Sequence, residues 1–260
     1  MIIDTHAHYD DEQYDDEQYD VDRDKLLMSM ESHNVERMVT VGANIESSKA
    51  ALALTKQYPF IYGAVGVHPN EVAELDADKM KWLRQAAADE KIVAIGEIGL
   101  DYYYDQPDPA VQKKWFERQL DLAREVSLPV IIHSREAAED TMTIMKARKA
   151  EEIGGVIHCY SYSVEMARQY VKMGFYIGIG GVVTFKNAKK VKEVVKSIPM
   201  EHIVLETDCP YLAPEPHRGS RNDSSNLRFV VQEIAALRGL TEEKVIEQTR
   251  ENACKLYRKM

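Results

Sequence analysis

Two histidines stand two residues apart near the start of the chain, His6 and His8. In extended backbone, residues i and i+2 face the same side, roughly 6.5–7 Å apart along the strand, so both imidazoles can converge on one cation. A hydrogen-bonded histidine pair would leave the same trace in a sequence. Four further residues change that balance. Glu97 ends the run Ile92–Gly96, His133 closes Leu128–Ile132, His158 closes Gly155–Ile157, and Asp208 follows Ile203–Thr207. Each is a metal-competent side chain at the C-terminal end of a short apolar run. Four imidazoles and two carboxylates are more than one tetrahedral or octahedral ion normally takes from protein. Two divalent ions sharing them, with Glu97 bridging through its two oxygens, distribute the set sensibly. Such a pair, roughly 3.5–4 Å apart, clamps the attacking and leaving oxygens of a displacement and acidifies a water toward a pKa of about 7, which is hydrolytic chemistry. Mixed nitrogen and oxygen ligation suits Zn, Mn, Fe, Ni or Co, and open positions filled by water or phosphate keep Mg in the set.

Further residues are candidates for work around those ions. Asp208 is placed to accept a proton from the attacking water while ligating an ion. Glu206 shares its strand face with Asp208 and is a candidate to hold that water or to orient a histidine; a plain structural carboxylate fits equally. His68 ends the third strand beside Pro69 and suits contact with a phosphate or leaving oxygen. The expected catalytic set is therefore Asp208, Glu97, Glu206 and His68. Arg135, two residues past His133, is a candidate to pair with a phosphate oxygen, as are Arg218 and Arg221 in the loop after the eighth strand. Tyr102–Tyr104 offer rings on which an unpaired base can stack.

Short β-branched runs alternate with amphipathic segments along the whole chain. Expected strands are Met1–Asp4, Arg37–Val41, Ile61–Val67, Ile92–Glu97, Val130–His133, Val156–His158, Phe175–Ile179 and Ile203–Thr207. Between them apolar residues recur at helical spacing, for example Trp115, Leu120 and Ala123, then Met166, Tyr170 and Met173. Strand and helix alternating eight times predicts parallel strands joined by crossover helices, closing most simply as an α/β (β/α)8 TIM barrel over a single domain, residues 1–260. An open doubly wound sheet is the other solution. In the barrel, the six candidate ligands from five strands meet on the rim where barrel enzymes keep their sites. Two helices are predicted to finish the chain, Ser225–Arg238 and Thr241–Lys259, with Thr241 as an N-cap. The pentapeptide Asp10–Tyr14 is repeated at once as Asp15–Tyr19. It reads as a tolerated loop insertion, or else as an acidic flap limiting substrate size.

The net charge of −10 argues against a broad basic face gripping duplex nucleic acid. Contact with an anionic substrate must then be local, and bound divalent cations can supply the positive charge. No apolar run approaches the roughly 20 residues that span a bilayer, and no secretory signal is visible. The three cysteines, Cys159, Cys209 and Cys254, lack CxxC spacing, which fits free thiols and a cytoplasmic location. Oligomeric state is not legible, and a monomer is compatible with everything above.

The ordered motifs Asp4–His8 (DTHAH), Gly66–Pro69 (GVHP), Gly96–Tyr103 (GEIGLDYY), His133–Arg135 (HSR), His158–Ser161 (HCYS) and Glu206–Leu212 (ETDCPYL) together resemble the TatD family of metal-dependent deoxyribonucleases, an amidohydrolase-type barrel family. The resemblance implies phosphodiester hydrolysis of DNA from the 3′ end of single strands. By motif position it implies that His6, His8 and Asp208 hold one ion, His133 and His158 the other, with Glu97 shared. Mg or Mn would serve in function, with Zn or Ni possible as bound ions. Many amidohydrolases bridge their ions with a carbamylated lysine from the fourth strand. Here Glu97 occupies that strand end and Lys91 lies at the other. Two stretches depart from the family pattern: Cys159-Tyr160-Ser161-Tyr162-Ser163 after His158, and Asn222-Asp223-Ser224 after Arg221. Both fall in rim loops and bear on substrate preference. Removal of a D-amino acid from tRNA is an alternative reaction attributed to the family, and a non-enzymatic binding barrel is a third reading.

Overall fold

The computed structural model describes residues 1–14 and 23–260. Among them lie eight strands: β1 (Ile2–Ala7), β2 (Val35–Val41), β3 (Ile61–Val65), β4 (Ile92–Asp101), β5 (Val130–Arg135), β6 (Gly155–Ile157), β7 (Tyr176–Ile179) and β8 (Ile203–Leu205). The helices are α1 (Arg23–Ser29), α2 (Ile45–Gln57), α3 (Ala77–Ala86), α4 (Pro109–Val126), α5 (Ala138–Ala147), α6 (Val164–Lys172), α7 (Lys189–Ser197), α8 (Leu227–Arg238) and α9 (Glu242–Leu256). Every ladder is parallel, and the strands lie side by side in chain order. The seam between β8 and β1 closes just beyond the short β8. Ala7 bridges Cys209, the His8 amide donates to the Cys209 carbonyl at 2.7 Å, and the Asp208 amide donates to the His6 carbonyl at 3.0 Å. The fold is the (β/α)8 TIM barrel, not an open sheet.

Strand alternation sorts the apolar residues into two shells. Ile131 of β5 and Val204 of β8 point inward with Val39, Val41, Ala94 and Val156. Their neighbours Val130, Ile132, Ile203 and Leu205 point outward, against helix residues such as Phe116, Leu120, Val194 and Ile234. The C-terminal helix seals the barrel floor. Asn252 Nδ2 donates to the carbonyls of Met200 and Ile203, and the fully buried Tyr257 donates its hydroxyl to the Thr5 carbonyl at 3.0 Å.

Helix starts follow local capping chemistry. Asn44 and Ser47 form a reciprocal capping box on α2, Asp108 caps α4 ahead of Pro109, and the Thr241 hydroxyl accepts the Lys244 amide to start α9. Ser225 stands in a 3-10 turn, Ser224–Asn226, before α8 begins, and α9 ends at Leu256 rather than Lys259. Strand ends also differ from expectation. β1 continues past Asp4 to Ala7, β4 past Glu97 to Asp101 and β5 past His133 to Arg135, while β3 stops at Val65, β6 at Ile157 and β8 at Leu205. The extended strands carry polar side chains into the rim. That breaks the apolar pattern, although the backbone stays laddered. Gly99 shows why the β4–β5 ladder can persist there: its φ is +146°, and a Cβ would overlap the His133 carbonyl oxygen.

Of the duplicated pentapeptide, the first copy is packed. Tyr14 is buried against Tyr9 with ring centroids 5.1 Å apart, and its hydroxyl donates to the Asn222 carbonyl at 2.8 Å. The second copy, Asp15–Tyr19, lies outside the described residues. Among the described residues, no helix is long and apolar enough to cross a membrane.

Candidate metal centre

The six side chains expected to hold cations gather at one point on the C-terminal rim, and Glu97 is their hub. Its Oε1 lies 2.7 Å from His133 Nδ1 and 3.1 Å from His158 Nε2. Its Oε2 lies 3.4 Å from His6 Nε2 and 3.8 Å from His8 Nε2. Each carboxylate oxygen thus faces its own pair of imidazoles. Asp208 Oδ1 completes the second group, 3.6 Å from His6 Nε2 and 3.4 Å from His8 Nε2. Asp208 sits in the left-handed region at φ 59°, a conformation that aspartate tolerates better than most residues. The closure bonds of the β8–β1 seam hold it there.

Hydrogen-bond accounting shows that this donor set fits divalent cations. His8 Nδ1 lies 2.8 Å from the Val41 carbonyl, which can only accept, so Nδ1 carries hydrogen. In the neutral ring the Nε2 lone pair then faces His6 Nε2 at 3.1 Å and two carboxylates. His133 is held likewise: Nε2 is 3.0 Å from Asp101 Oδ2, leaving Nδ1 toward Glu97. Lone pairs and anionic oxygens converging in this way repel unless a proton or cation lies between them. Outer ring nitrogens tied to a carbonyl and a carboxylate are the usual support of metal-ligating histidines. The nitrogen and oxygen mixture suits borderline divalent ions, with carboxylate and open positions also admitting harder ones.

Carboxylates facing the buried imidazoles raise the proton affinity of three of the four. Burial lowers His8, but hydrogen bonding and charge from Asp208, with Glu97 and Asp10, push it up to about 9. Burial also works against charge on His158 and His133. Glu97 and Glu206 raise His158 well above its ordinary value, and Asp101 with Glu97 raises His133. Burial raises Glu97, yet the charge on His158 and hydrogen bonds from His133, His158 and His6 hold it well below the usual carboxylate range. His6 falls instead, through burial and the neighbouring His158; their rings stack at 3.8 Å.

Three carboxylates support this cluster from outside. Glu206 is fully buried, accepts the Cys159 amide, and places Oε1 3.6 Å from His158 Nδ1. Its side chain occupies space left by Gly178, where a Cβ would overlap the carboxylate. Asp101 was not among the expected site residues. It is buried at the end of β4, holding His133 with one oxygen and the Tyr103 amide with the other at 2.9 Å. The two-residue rule applied from Glu97 through Gly99 to Asp101 would have placed it on the same face. Asp4, also missed, ties β1 to the segment after β8 by accepting from the Thr207 and Ser224 hydroxyls, both at 2.6 Å. Burial pushes its carboxyl up to about 7 against those bonds.

The cluster opens into a cavity of about 960 Å³. His68 lines it, with Nε2 3.7 Å from Glu97 Oε1. The Asn70 amide donates to its Nδ1 at 3.2 Å, which in the neutral ring puts the proton on Nε2. Burial and the charge on His133 lower His68 to about 3, so it presents a neutral N–H donor to the cavity. Arg135 and Tyr104 also line it, as do Asp10, Asp11, Glu12 and Glu46 on the side toward α2. Arg218 and Arg221 are not in the lining. The Arg218 guanidinium lies 4.4 Å from the Phe185 ring centroid, and Arg221 donates to the Gln13 carbonyl at 2.9 Å and packs over Tyr14.

The sequence matches the family described as TatD related DNase over residues 3–258. The chain belongs to this TatD-related family. It is 45% identical to the uncharacterized metal-dependent hydrolase YabD of Bacillus subtilis (strain 168), across 99% of each chain. It is 34% identical to the 3′-5′ ssDNA/RNA exonuclease TatD of Erwinia tasmaniensis, covering 91% of this chain and 93% of that one. Among solved structures, the TatD homolog YJJV of Escherichia coli K12 superposes with a TM-score of 0.91 at 28% identity, covering 99% of this chain and 98% of that one. Membership in the TatD family and the barrel architecture therefore agree with what the ordered motifs implied.

Proposed function

We propose that this chain is a metal-dependent hydrolase that cleaves phosphodiester bonds of single-stranded DNA from the 3′ end, using two divalent cations. The carrying observation is Glu97, whose two oxygens face separate histidine pairs. On this reading His6, His8 and Asp208 would hold one cation and His133 and His158 the other, with Glu97 shared. The cations, Mg or Mn in function, would supply Lewis-acid polarisation of a phosphoryl oxygen and a lowered pKa for water. The protein's own groups do the rest. Asp208, the most exposed carboxylate of the cluster at 18%, receives a proton from the attacking water. His68 donates its Nε2–H to a phosphoryl or leaving oxygen, and Glu206 fixes the His158 ring. Arg135 sits at the cavity mouth to pair with a phosphate. Arg218 and Arg221 would reach substrate only beyond the cavity. The name of the Erwinia tasmaniensis relative supports both substrate and direction.

The test is release of nucleotides from 3′- and 5′-labelled single-stranded DNA by metal-loaded protein. Mononucleotides from the 3′ label first, abolished by chelator, are expected; no metal-dependent release overturns the reading. A second reading, hydrolysis of an aminoacyl ester, has one observation in its favour. Asp10, Asp11, Glu12 and Glu46 all line the cavity, an acidic wall, with Glu46 paired to Lys49 at 2.8 Å, that suits a substrate ammonium. Turnover of a D-aminoacyl-tRNA and of the oligonucleotide on one preparation separates the two.

A further inference from the structure

Large aromatic side chains normally bury their area. Tyr103 and Tyr104, just past the end of β4, are each 53% exposed. Their rings meet edge to face at 4.9 Å, and the Arg135 guanidinium lies 3.7 Å from the Tyr103 centroid and 5.7 Å from that of Tyr104. Tyr104 and Arg135 line the same cavity as His133, His158 and Asp208. An exposed cation–π contact contributes only about 0.5–1 kcal/mol, too little to explain leaving two rings in water.

The group is also pre-positioned. Asp101 accepts the Tyr103 amide while its other oxygen holds His133, and the Tyr102 amide donates to the Arg135 carbonyl at 2.9 Å. Tyr102 in turn donates to Asp140, which pairs with Lys113 at 2.7 Å. Ordering the loop therefore need not be repeated when a ligand arrives.

We propose that Tyr103, Tyr104 and Arg135 form a stacking platform for an unpaired nucleobase, setting the phosphate next to that base against the metal centre. The substrate it selects is single-stranded polynucleotide, because a paired base has both faces covered by its neighbours in the helix. Rings and guanidinium accept any base, so the platform gives preference for single strands without sequence preference. This rests on the phosphodiesterase reading above and adds the element that distinguishes a single strand from a duplex.

The test uses metal-loaded protein and a phosphorothioate-linked oligonucleotide, which resists hydrolysis, with 2-aminopurine beside the terminal linkage. Binding to the wild type quenches the 2-aminopurine fluorescence by stacking. The variant Tyr103→Leu/Tyr104→Leu loses the quench and binds roughly 5- to 150-fold more weakly, the range for losing one stacked base. Tyr103→Phe/Tyr104→Phe keeps both signals, which assigns them to the rings rather than the hydroxyls, and an unchanged circular dichroism spectrum of the leucine variant excludes a general folding defect. In the wild type, an abasic site at that position costs the same factor, and it costs the leucine variant nothing further. Equal affinity and equal quenching in the leucine variant overturn the platform. Failure of the wild type to cleave an ordinary oligonucleotide overturns the nuclease reading instead, and the fluorescence result still decides the platform.

Discussion

Asp101 grips His133 and the Tyr103 backbone with opposite oxygens of one carboxylate, at 3.0 Å and 2.9 Å. A metal-competent imidazole and the cavity-mouth loop are thereby positioned by the same buried group. Asp101→Asn keeps an oxygen for the Tyr103 amide and removes the anion that orients His133. A fall of about 10- to 100-fold in metal affinity or kcat/KM is expected, the usual cost of losing such a partner. Titrating activity against metal concentration, beside calorimetric metal binding, checks it. Unaltered values in both would show that Asp101 only shapes the loop.

Glu97 faces both histidine pairs, so its loss should empty both halves of the site. Glu97→Gln preserves shape and removes the charge on which four imidazoles converge. We expect bound metal to fall sharply by elemental analysis and activity to drop by about hundredfold or more, with the circular dichroism spectrum unchanged. Retention of full metal content by a folded Glu97→Gln protein would contradict the bridging role.

Chelation should destabilise a protein whose cation site is built before the cation arrives. At a free metal concentration of 100 Kd, linkage adds about 2.7 kcal/mol to the folded state. For a barrel of this size that is a rise in Tm of about 5–10 °C. Differential scanning calorimetry in EDTA and with increasing Mn checks it. A Tm independent of Mn would mean that the cluster holds no cation in solution.

The candidate ligands Glu97, His133, His158 and Asp208 were legible because each follows an apolar run, and His6 and His8 because they stand two residues apart in extended backbone. Of these, His158 directly follows its strand, whereas β4 and β5 run on past Glu97 and His133. Asp101 was hidden because its own face of β4 reads Glu97, Gly99, Asp101, while the apolar signal of that stretch comes from the buried Ile98 and Leu100 on the other face. Asp4 was hidden for another reason. Its partners Thr207 and Ser224 come from the far end of the chain, and only closure of the β8–β1 seam brings them near. The same non-local packing takes Arg221 to Gln13 and Tyr14, a destination that no local pattern announces. Helix starts at Asn44, Asp108 and Thr241 depend on short-range capping chemistry, of which the Thr241 cap was read correctly.

Tyr257 packs inside the barrel below the candidate metal centre and donates to the Thr5 carbonyl, one residue before His6. Tyr257→Ala removes a fully buried ring and should cost about 3–5 kcal/mol. Tyr257→Phe gives up only the hydrogen bond to Thr5 and leaves that carbonyl short of a partner, costing about 1–2 kcal/mol. Urea unfolding of both variants in the presence of metal measures the difference. Equal destabilisation by the two would mean that the hydroxyl, not the ring, closes the barrel.

The acidic wall distinguishes the two hydrolytic readings by charge alone. Glu12 and Glu46 are exposed members of it, so replacing both by Gln removes two negative charges with little effect on packing. A polyanionic strand approaching the cavity is repelled by them over about a Debye length, 10 Å at 0.1 M salt. The double variant should therefore lower KM for single-stranded DNA by about two- to fivefold at low salt, an effect of order 0.5–1 kcal/mol for exposed charges. Screening should erase the gain near 1 M salt, where the same length is about 3 Å. An aminoacyl ester carries its positive ammonium close to the scissile bond, and for it the sign reverses: losing the wall weakens binding. Steady-state kinetics of one variant on both substrates at two ionic strengths read that sign directly. A lower KM for the ester than in the wild type would remove the wall's claimed affinity for a cationic substrate.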